Sequence, residues 1–423
     1  MDRVDDIRRG RTKLEKYLMT SAERIQVRIA RDKARKALKN KARAEEFGTL
    51  DKVMTMQHLV RSLQKRRKGT DWKGSVQSFV SHAIVKLKRL YDSFRSGGFE
   101  VAQNIRLVKI RERGKLRICR AVYIDTRVVQ GVLCDDCITP MTQPHLIYDN
   151  PASTAGKGVR HMRDRIMRML VREIKKHGPR KVCVLVTDFR QFFDNIRHSR
   201  CRKELEKSGI EDRLIDMIMM FVKMYHRQDY LKIIDPKERA GKLKSLDEEK
   251  DVGATLGSQI SQDMALVVPN DVDHAAKDRF GMKSFGRFMD DGIAISDKQT
   301  IRDFIPVFRE SAEKCGFSLH ERKTQIKRGY RGFDFLKIKY RILDSGRIIR
   351  KEVRSGIVRM RRKLKKLHRK VRDRKIPIEY AFKAFASWYG MMRKIGNTYR
   401  QRIALLRQYN RLFDCYRMEV FAA

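Results

Sequence analysis

The chain has 423 residues, and its 98 Lys and Arg against 51 Asp and Glu give a formal net charge of +47. A hydrophobic content of 41% is enough to build cores, which excludes a wholly disordered polyanion-binding tail. No run approaches the roughly 18 apolar residues that span a bilayer, and the N-terminus MDRVDDIRRGRTKLEKYL lacks the apolar core of a secretory signal, so a cytoplasmic protein without membrane attachment is expected. Charge of this size calls for a polyanionic partner. The cations run through the whole chain rather than along one amphipathic helix, which favours a nucleic-acid channel over a membrane surface.

In chain order, residues 1–70 read as helix, rich in Ala, Arg, Lys and Glu, with a break at Gly69 to Gly74. Residues 75–95 carry Val76, Phe79, Ile84, Leu87 and Tyr91 at helical spacing and end at a Ser-Gly-Gly step. IRLVKI, a Glu-Arg-Gly turn and KLRICRAVYI read as a basic β-hairpin. Helices follow at 125–137 and 158–178, then KVCVLVTDF at 181–189 as a buried strand. The first of these helices holds Cys134 and Cys137, which lack the second pair a zinc site needs and read as small residues on one face. Next come a helix at 197–226, a polar loop at 235–251, a helix near 258–278, a strand-turn-strand at 284–296, a helix at 299–315 and short strands at 317–343. Residues 347–375 hold 15 Lys and Arg against Glu352 and Asp373, while Ile357, Met360, Leu364, Leu367 and Val371 recur at helical steps. That is a helix with one packing face and one cationic rail. A further helix after Pro377 carries Ala381, Phe385, Trp388 and Met392 on one stripe.

Within so basic a chain, carboxylates set in apolar strands stand out, because burying one uncompensated is costly. Asp188 ends the strand VCVLVTDF, and Asp290 and Asp291 lie at the tip of the hairpin FGRFMDDGIAI. Three carboxylates from two adjacent strands can hold two Mg²⁺ about 4 Å apart, the arrangement that serves phosphoryl transfer.

Taken with their surroundings, these motifs resemble the reverse transcriptases, in the bacterial branch that includes group II intron, retron and diversity-generating retroelement enzymes. VTDFRQFFDNI looks like the first palm motif, FMDD like the YxDD box and GATLGSQISQ like the intervening nucleotide-and-template motif. LHERKTQI and GFDFLK are similar to the last palm motif and the primer grip, and IRERGKLRICRAVYIDTRVVQ to the fingers hairpin and the segment after it. The resemblance implies an α+β right-hand polymerase: a basic helical extension at 1–74, fingers at 75–180, a palm with an antiparallel sheet and fingers insertions at 181–345, and a basic helical thumb at 346–423. It implies two Mg²⁺ held by Asp188, Asp290, Asp291 and the backbone carbonyl of Phe189. Lys115 and Arg117 would hold the triphosphate, with Leu256, Gly257 and Gln262 also at the nucleotide. Phe193 would set a ring against the sugar C2′ and so select dNTPs. Lys323 would protonate the leaving pyrophosphate, and Phe335, Leu336 and Lys337 would form the primer grip.

Several positions depart from the common pattern. Most bacterial members read Pro-Gln-Gly where this chain has Thr255, Leu256 and Gly257, followed by Ser261 and Gln262, a form associated with diversity-generating retroelements. Leu256 in place of Gln removes an amide that could bond the nucleotide, so lower fidelity is expected. Phe288 replaces the Tyr of YxDD, and Lys337 the Gly of the primer grip. No His/Cys cluster of the homing-endonuclease kind follows the basic helices, unlike a complete group II intron protein. The expected activity is RNA-directed, error-prone DNA synthesis in a bacterial or phage-encoded diversity-generating retroelement, from a template-repeat RNA, with a DNA or RNA primer, dNTPs and a small basic accessory protein. The alternatives are an antiphage defence reverse transcriptase with a dedicated structured noncoding RNA, or a maturase-like RNA-binding protein. Residues 1–70 suit either a template-RNA-binding extension or a solvated helical hairpin packed on the fingers.

Overall fold

The computed structural model describes residues 20–99, 105–112, 115–224, 251–416 and 418. In chain order the elements are helices α1 (Ser21–Phe47), α2 (Leu50–Val53), α3 (Met56–Arg67), α4 (Gly74–Ser81) and α5 (Ala83–Ser96), strands β1 (Ile105–Glu112) and β2 (Lys115–Val122), then α6 (Ile124–Leu133), α7 (Thr139–Thr142) and α8 (Val159–His177). Strand β3 (Cys183–Asp188) precedes α9 (His198–Lys207), α10 (Asp212–Val222), α11 (Gln259–Val267) and α12 (Asn270–His274). The chain continues through β4 (Phe285–Phe288), β5 (Asp291–Ser296), α13 (Lys298–Lys314), β6 (Gln325–Arg328), β7 (Phe333–Phe335), β8 (Ile338–Ile342) and β9 (Ile348–Glu352), and closes with α14 (Arg354–Arg372), α15 (Ile378–Arg393) and α16 (Tyr399–Leu412).

These elements depart from the sequence expectation where local breaks intervene. The helix expected at 75–95 breaks at His82 (φ −121°, ψ 31°), which re-phases its faces. Val76, Phe79, Leu87 and Phe94 are buried, but Ile84 is 81% exposed. The helix expected at 197–226 is split at Gly209, whose φ is +83°, and the one at 258–278 at Pro269. Residues 348–352, expected as the start of the basic helix, form β9 because β8, paired with β7 on one side, offers its other edge with a buried-exposed alternation. Most of the loop expected at 235–251 lies outside the described residues.

The chain forms two compact units. The first takes the described parts of Met1–His145 and Phe193–Val268. It contains the β1–β2 hairpin, in which Lys115 opposes Glu112 and Arg117 opposes Ile110. Its helical core is built around α6, with Val128, Val129, Val132 and Leu133 fully buried. A π-helical turn, Cys134–Ile138, extends α6. Cys134 and Cys137 are both fully buried, and burial pushes the Cys137 thiol up to about 12. The Cys134 thiol is raised as well, by burial first and then by Asp263 of α11.

The second unit takes Leu146–Phe192 and the described part of Pro269–Ala423. Its four-stranded antiparallel sheet has the order β4-β5-β3-β6, and a three-stranded sheet has the order β7-β8-β9. Helices α8 and α13 pack on the first sheet. One core joins Met162 and Ile166 of α8, Val184 and Ile295 of the first sheet, Tyr340 of the second, and the stripes of α14 and α15. Ile357, Met360, Leu364 and Leu367 are buried on α14, while Arg361, Arg362, Lys365, Lys366 and Arg369 are exposed on it. The packing face and cationic rail thus separate as their spacing requires.

Asp263 is 5% exposed, and its Oδ2 has no hydrogen-bond partner among the described residues. Burial, with Asp135 nearby, pushes its carboxyl up to about 7. An unfolded aspartate ionises near pH ~3.9. Between these two values the folded chain holds a proton that the unfolded chain has lost, so stability falls as pH rises from about 4 to about 7 and levels off above. Asp263→Asn is expected to flatten this part of the profile, as read from urea midpoints across pH 4.5–8.

Candidate active site

The carboxylates are placed by strand pairing. Strand β3 is apolar and buried along its length, and it pairs antiparallel with β5 in a register that sets Asp188 opposite Asp291 and Thr187 opposite Gly292. A Cβ at Gly292 would stand 2.3 Å from the Thr187 hydroxyl, so any side chain there would have to displace that group. After Asp188 the chain is locked by Phe189, 3% exposed, whose ring stacks on Phe192 at 5.5 Å and on Phe308 at 6.2 Å. The segment 318–320 is laced to the same point: His320 N–H donates to the Asp188 carbonyl at 2.8 Å, and Arg190 N–H to the Ser318 carbonyl at 2.9 Å.

The turn between β4 and β5 carries Met289 and Asp290, flanked by the pair Phe288 and Asp291. Met289 has φ +57°, a left-handed conformation that costs a residue with a Cβ about 1–2 kcal/mol. Two hydrogen bonds hold this turn. Arg287 Nη1 donates to the Met289 carbonyl at 2.9 Å, and Phe189 N–H to the Asp290 carbonyl at 3.2 Å. Arg287 is itself fully buried and grips Asp273 of α12 through Nε (2.7 Å to Oδ1) and Nη2 (2.8 Å to Oδ2). Asn150 donates to the same Asp273 at 3.3 Å. Sequence reasoning missed Arg287 and Asp273. The only signal was an arginine inside an otherwise apolar strand next to the Asp pair.

Lys323 Nζ donates to Asp188 Oδ2 at 2.7 Å. Burial, then repulsion from Asp290 and Asp188, pushes Asp291 up to about 7, against the opposing pull of Lys323. Here, then, acidic groups crowd beside one strand pair.

The family model described as "Reverse transcriptase (RNA-dependent DNA polymerase)" matches residues 108–340. The chain belongs to the reverse transcriptase family. Its α+β, right-hand polymerase class is that of the family. A search of curated proteins finds no match. Among solved structures, telomerase from Candida albicans, in complex with a TWJ fragment of telomeric RNA, is 13% identical with a TM-score of 0.43, over 78% of this chain and 59% of that one. Apo telomerase from Candida tropicalis, truncated of its C-terminal domain, is 12% identical with a TM-score of 0.42, over 59% of this chain and 55% of that one. The chain thus spans less than two thirds of either telomerase chain.

The other expected site residues fall as follows. Gly257 has φ +100°, which suits glycine, and Leu256 forms a parallel bridge with Cys119 of β2, its carbonyl accepting from Arg120 N–H at 3.1 Å. Gln262 is exposed on α11. Ser258 caps α11 by accepting from Ser261 N–H and is held by Gln130 Nε2 at 2.6 Å. Phe193 is partly exposed in the turn Phe192–Asn195, and its carbonyl accepts from Ala254 N–H at 2.8 Å. Lys115 and Arg117 lie in β2, with side chains outside the described residues. Phe335 is buried, and Leu336 (φ +45°) and Lys337 (φ +66°) form the two-residue turn from β7 to β8. Both positive φ values match the primed turns of tight hairpins, and Arg163 holds this one by donating to the Leu336 carbonyl at 2.8 Å.

Among the described residues no three His, Cys, Asp or Glu side chains close on a common metal position. The donor chemistry nevertheless fits a divalent cation. Carboxylates are the hard oxygen ligands Mg²⁺ prefers, and the repulsion that raises Asp291 is what such a charge relieves.

Arg287→Met alone leaves Asp273 charged and buried, at an expected cost of about 3–5 kcal/mol in chemical denaturation. The double variant Arg287→Met/Asp273→Leu is expected to recover most of that loss.

Proposed function

We propose that the chain is an RNA-directed DNA polymerase, in which Asp188, Asp290 and Asp291 hold two Mg²⁺ for nucleotidyl transfer. The observation that carries this reading is the register of β3 on β5, which sets Asp188 opposite Asp291 with Asp290 adjacent, in a chain of the reverse transcriptase family. When bound, the two ions would supply charge for the attacking 3′-oxygen and the leaving pyrophosphate. Asp188, Asp290, Asp291 and the Phe189 carbonyl would be their ligands. Lys323, whose Nζ donates to Asp188 Oδ2, would supply a proton to the leaving pyrophosphate. Lys115 and Arg117 would neutralise the triphosphate, and Phe193 would exclude a ribose 2′-hydroxyl. Phe335, Leu336 and Lys337 would hold the primer, with the strained turn adding a cation beside its backbone.

The preferred role is copying a template-repeat RNA with low fidelity in a diversity-generating retroelement, together with a small basic accessory protein. It rests on Leu256, which replaces the Gln of the common pattern and so removes an amide that could hydrogen-bond the incoming nucleotide. Inspection of the flanking DNA tests it: a nearby pair of near-identical repeats differing at template adenines would support this role. A structured RNA locus there instead favours the defence reading.

Primer extension on an RNA template with Mg²⁺ tests the activity: wild type is expected to incorporate dNTPs, and Asp290→Ala/Asp291→Ala or added chelator to reduce incorporation to background. Equal incorporation by both proteins sinks the proposal. Phe193→Ala is expected to raise rNTP use relative to dNTP. Leu256→Gln is expected to lower misincorporation by about 2- to 10-fold, the worth of one hydrogen bond of about 0.5–1.5 kcal/mol.

A further inference from the structure

Strand β6 forms one edge of the four-stranded sheet. Its Arg328 pairs with Cys183, five residues before Asp188, so it stands roughly 17 Å along β3 from the carboxylates at about 3.3 Å per residue. Just past this edge Tyr330 gathers four arginines: its chain neighbours Arg328 and Arg331, Arg180 from ahead of β3, and Arg341 of β8. The guanidinium carbons of Arg180, Arg331 and Arg328 lie 5.1, 5.9 and 6.0 Å from its ring centroid. Arg328 Nη1 donates to the Tyr330 hydroxyl at 2.8 Å, and Arg341 Nε to its carbonyl at 3.1 Å. All four arginines are exposed. Asp344 pairs with Arg180, and among the described residues Arg328, Arg331 and Arg341 form no ion pair.

Like charges this close repel, and exposed arginines left to themselves would spread into water. The ring opposes that spreading, since each cation–π contact at an exposed site contributes about 0.5–1 kcal/mol. Guanidinium groups held in one fan present planar forks of N–H donors, the geometry that fits phosphate oxygens. Protection of a sheet edge by charge accounts for Lys327 and Arg328 on the strand. It does not account for Arg180 and Arg331, which lie outside β6 with their guanidinium groups at the ring, nor for Arg341, which reaches the Tyr330 carbonyl from β8. The hydrogen bond from Arg328, with Arg331 adding to it, also holds the Tyr330 hydroxyl below the ordinary tyrosine range, as strongly positive surroundings require.

We infer that Arg180, Arg328, Arg331 and Arg341, gathered on Tyr330, form a phosphate-binding surface separate from the carboxylate site, and that it takes the phosphodiester backbone of a folded nucleic acid. If the polymerase reading holds, that nucleic acid is the structured RNA from which the enzyme works, and this identification of the source rests on that reading.

The test uses the full chain and two fluorescent hairpins of one sequence, one RNA and one DNA, titrated at a series of KCl concentrations. Arg328→Ala/Arg331→Ala/Arg341→Ala is compared with wild type and with a control that removes equal charge from α13, Lys298→Ala/Arg302→Ala/Arg309→Ala. The log–log salt slope is expected to become shallower by about 0.9 for each duplex phosphate no longer neutralised, about 2 to 3 in all. Affinity is expected to fall at least tenfold, well beyond the control, while primer extension at saturating primer–template stays unchanged. Tyr330→Leu keeps every cation and is expected to weaken binding about threefold, an amount on the order of one cation–π contact. Loss confined to the RNA hairpin assigns the surface to structured RNA, and equal loss on both probes assigns it to either duplex. A triple variant that binds both probes like wild type, or that loses no more than the control, overturns the inference. Failure of the wild type to extend a primer would refute the polymerase reading and leave the binding comparison intact.

Discussion

The antiparallel register of β3 on β5 is the constraint on which the rest of the site depends. Side chains alternate along a strand with period two, so a slip of one residue would carry Asp188 to the opposite face and present Val186 and Val184 to the wrong side of the sheet. The register is held by close approach of Thr187 to Gly292, and by apolar residues such as Val184 and Ile293 that are fully buried in the same strands. What results is unfavourable locally. Three carboxylates are brought together and one is pushed up to about 7. The surrounding fold must therefore determine their position, since their own interactions would drive them apart.

Two cations do that work by different means. Lys323 answers Asp188 directly from a half-exposed position. Arg287 acts on the turn between β4 and β5. It is wholly buried, neutralised by Asp273, and its Nη1 also donates to the carbonyl of the strained Met289. A lysine could pair with Asp273 but could not also reach a second acceptor with fixed geometry, because only the guanidinium is a planar fork. Of the large positive surplus, then, a small part is structural and internal. The remainder is displayed on surfaces such as the outer face of α14, where it costs little fold stability in water and is available to a polyanion.

Legibility in the sequence followed how local the determining physics is. The apolar run 181–189 and the strand-turn-strand at 284–296 were readable because a buried strand must be continuously apolar and its turn short. The stripes on α14 and α15 were readable because helical packing repeats at three and four residues. The break at His82 was not, and it misassigned Ile84, because a single backbone change shifts the phase of every later residue. Strand β9 was hidden for a related reason: its basic residues continue smoothly into α14, and only the free edge of β8 makes them extended. At the site, Asp188, Asp290 and Asp291 stood out as acids in apolar strands. Asp273 did not, lying in a polar helix start that gives no hint of its burial.

The sequence by itself carried the charge surplus, the α+β class and the three acids set in apolar strands, since charge, periodicity and ordered motifs are properties of the chain read in one dimension. Tertiary structure alone decided which acid faces which, that Arg287 is an internal clamp, and that Arg180 and Arg341 join Arg328 and Arg331 on one tyrosine. Those facts arise from pairing register and from side chains brought together across long sequence separations, and no local pattern encodes them.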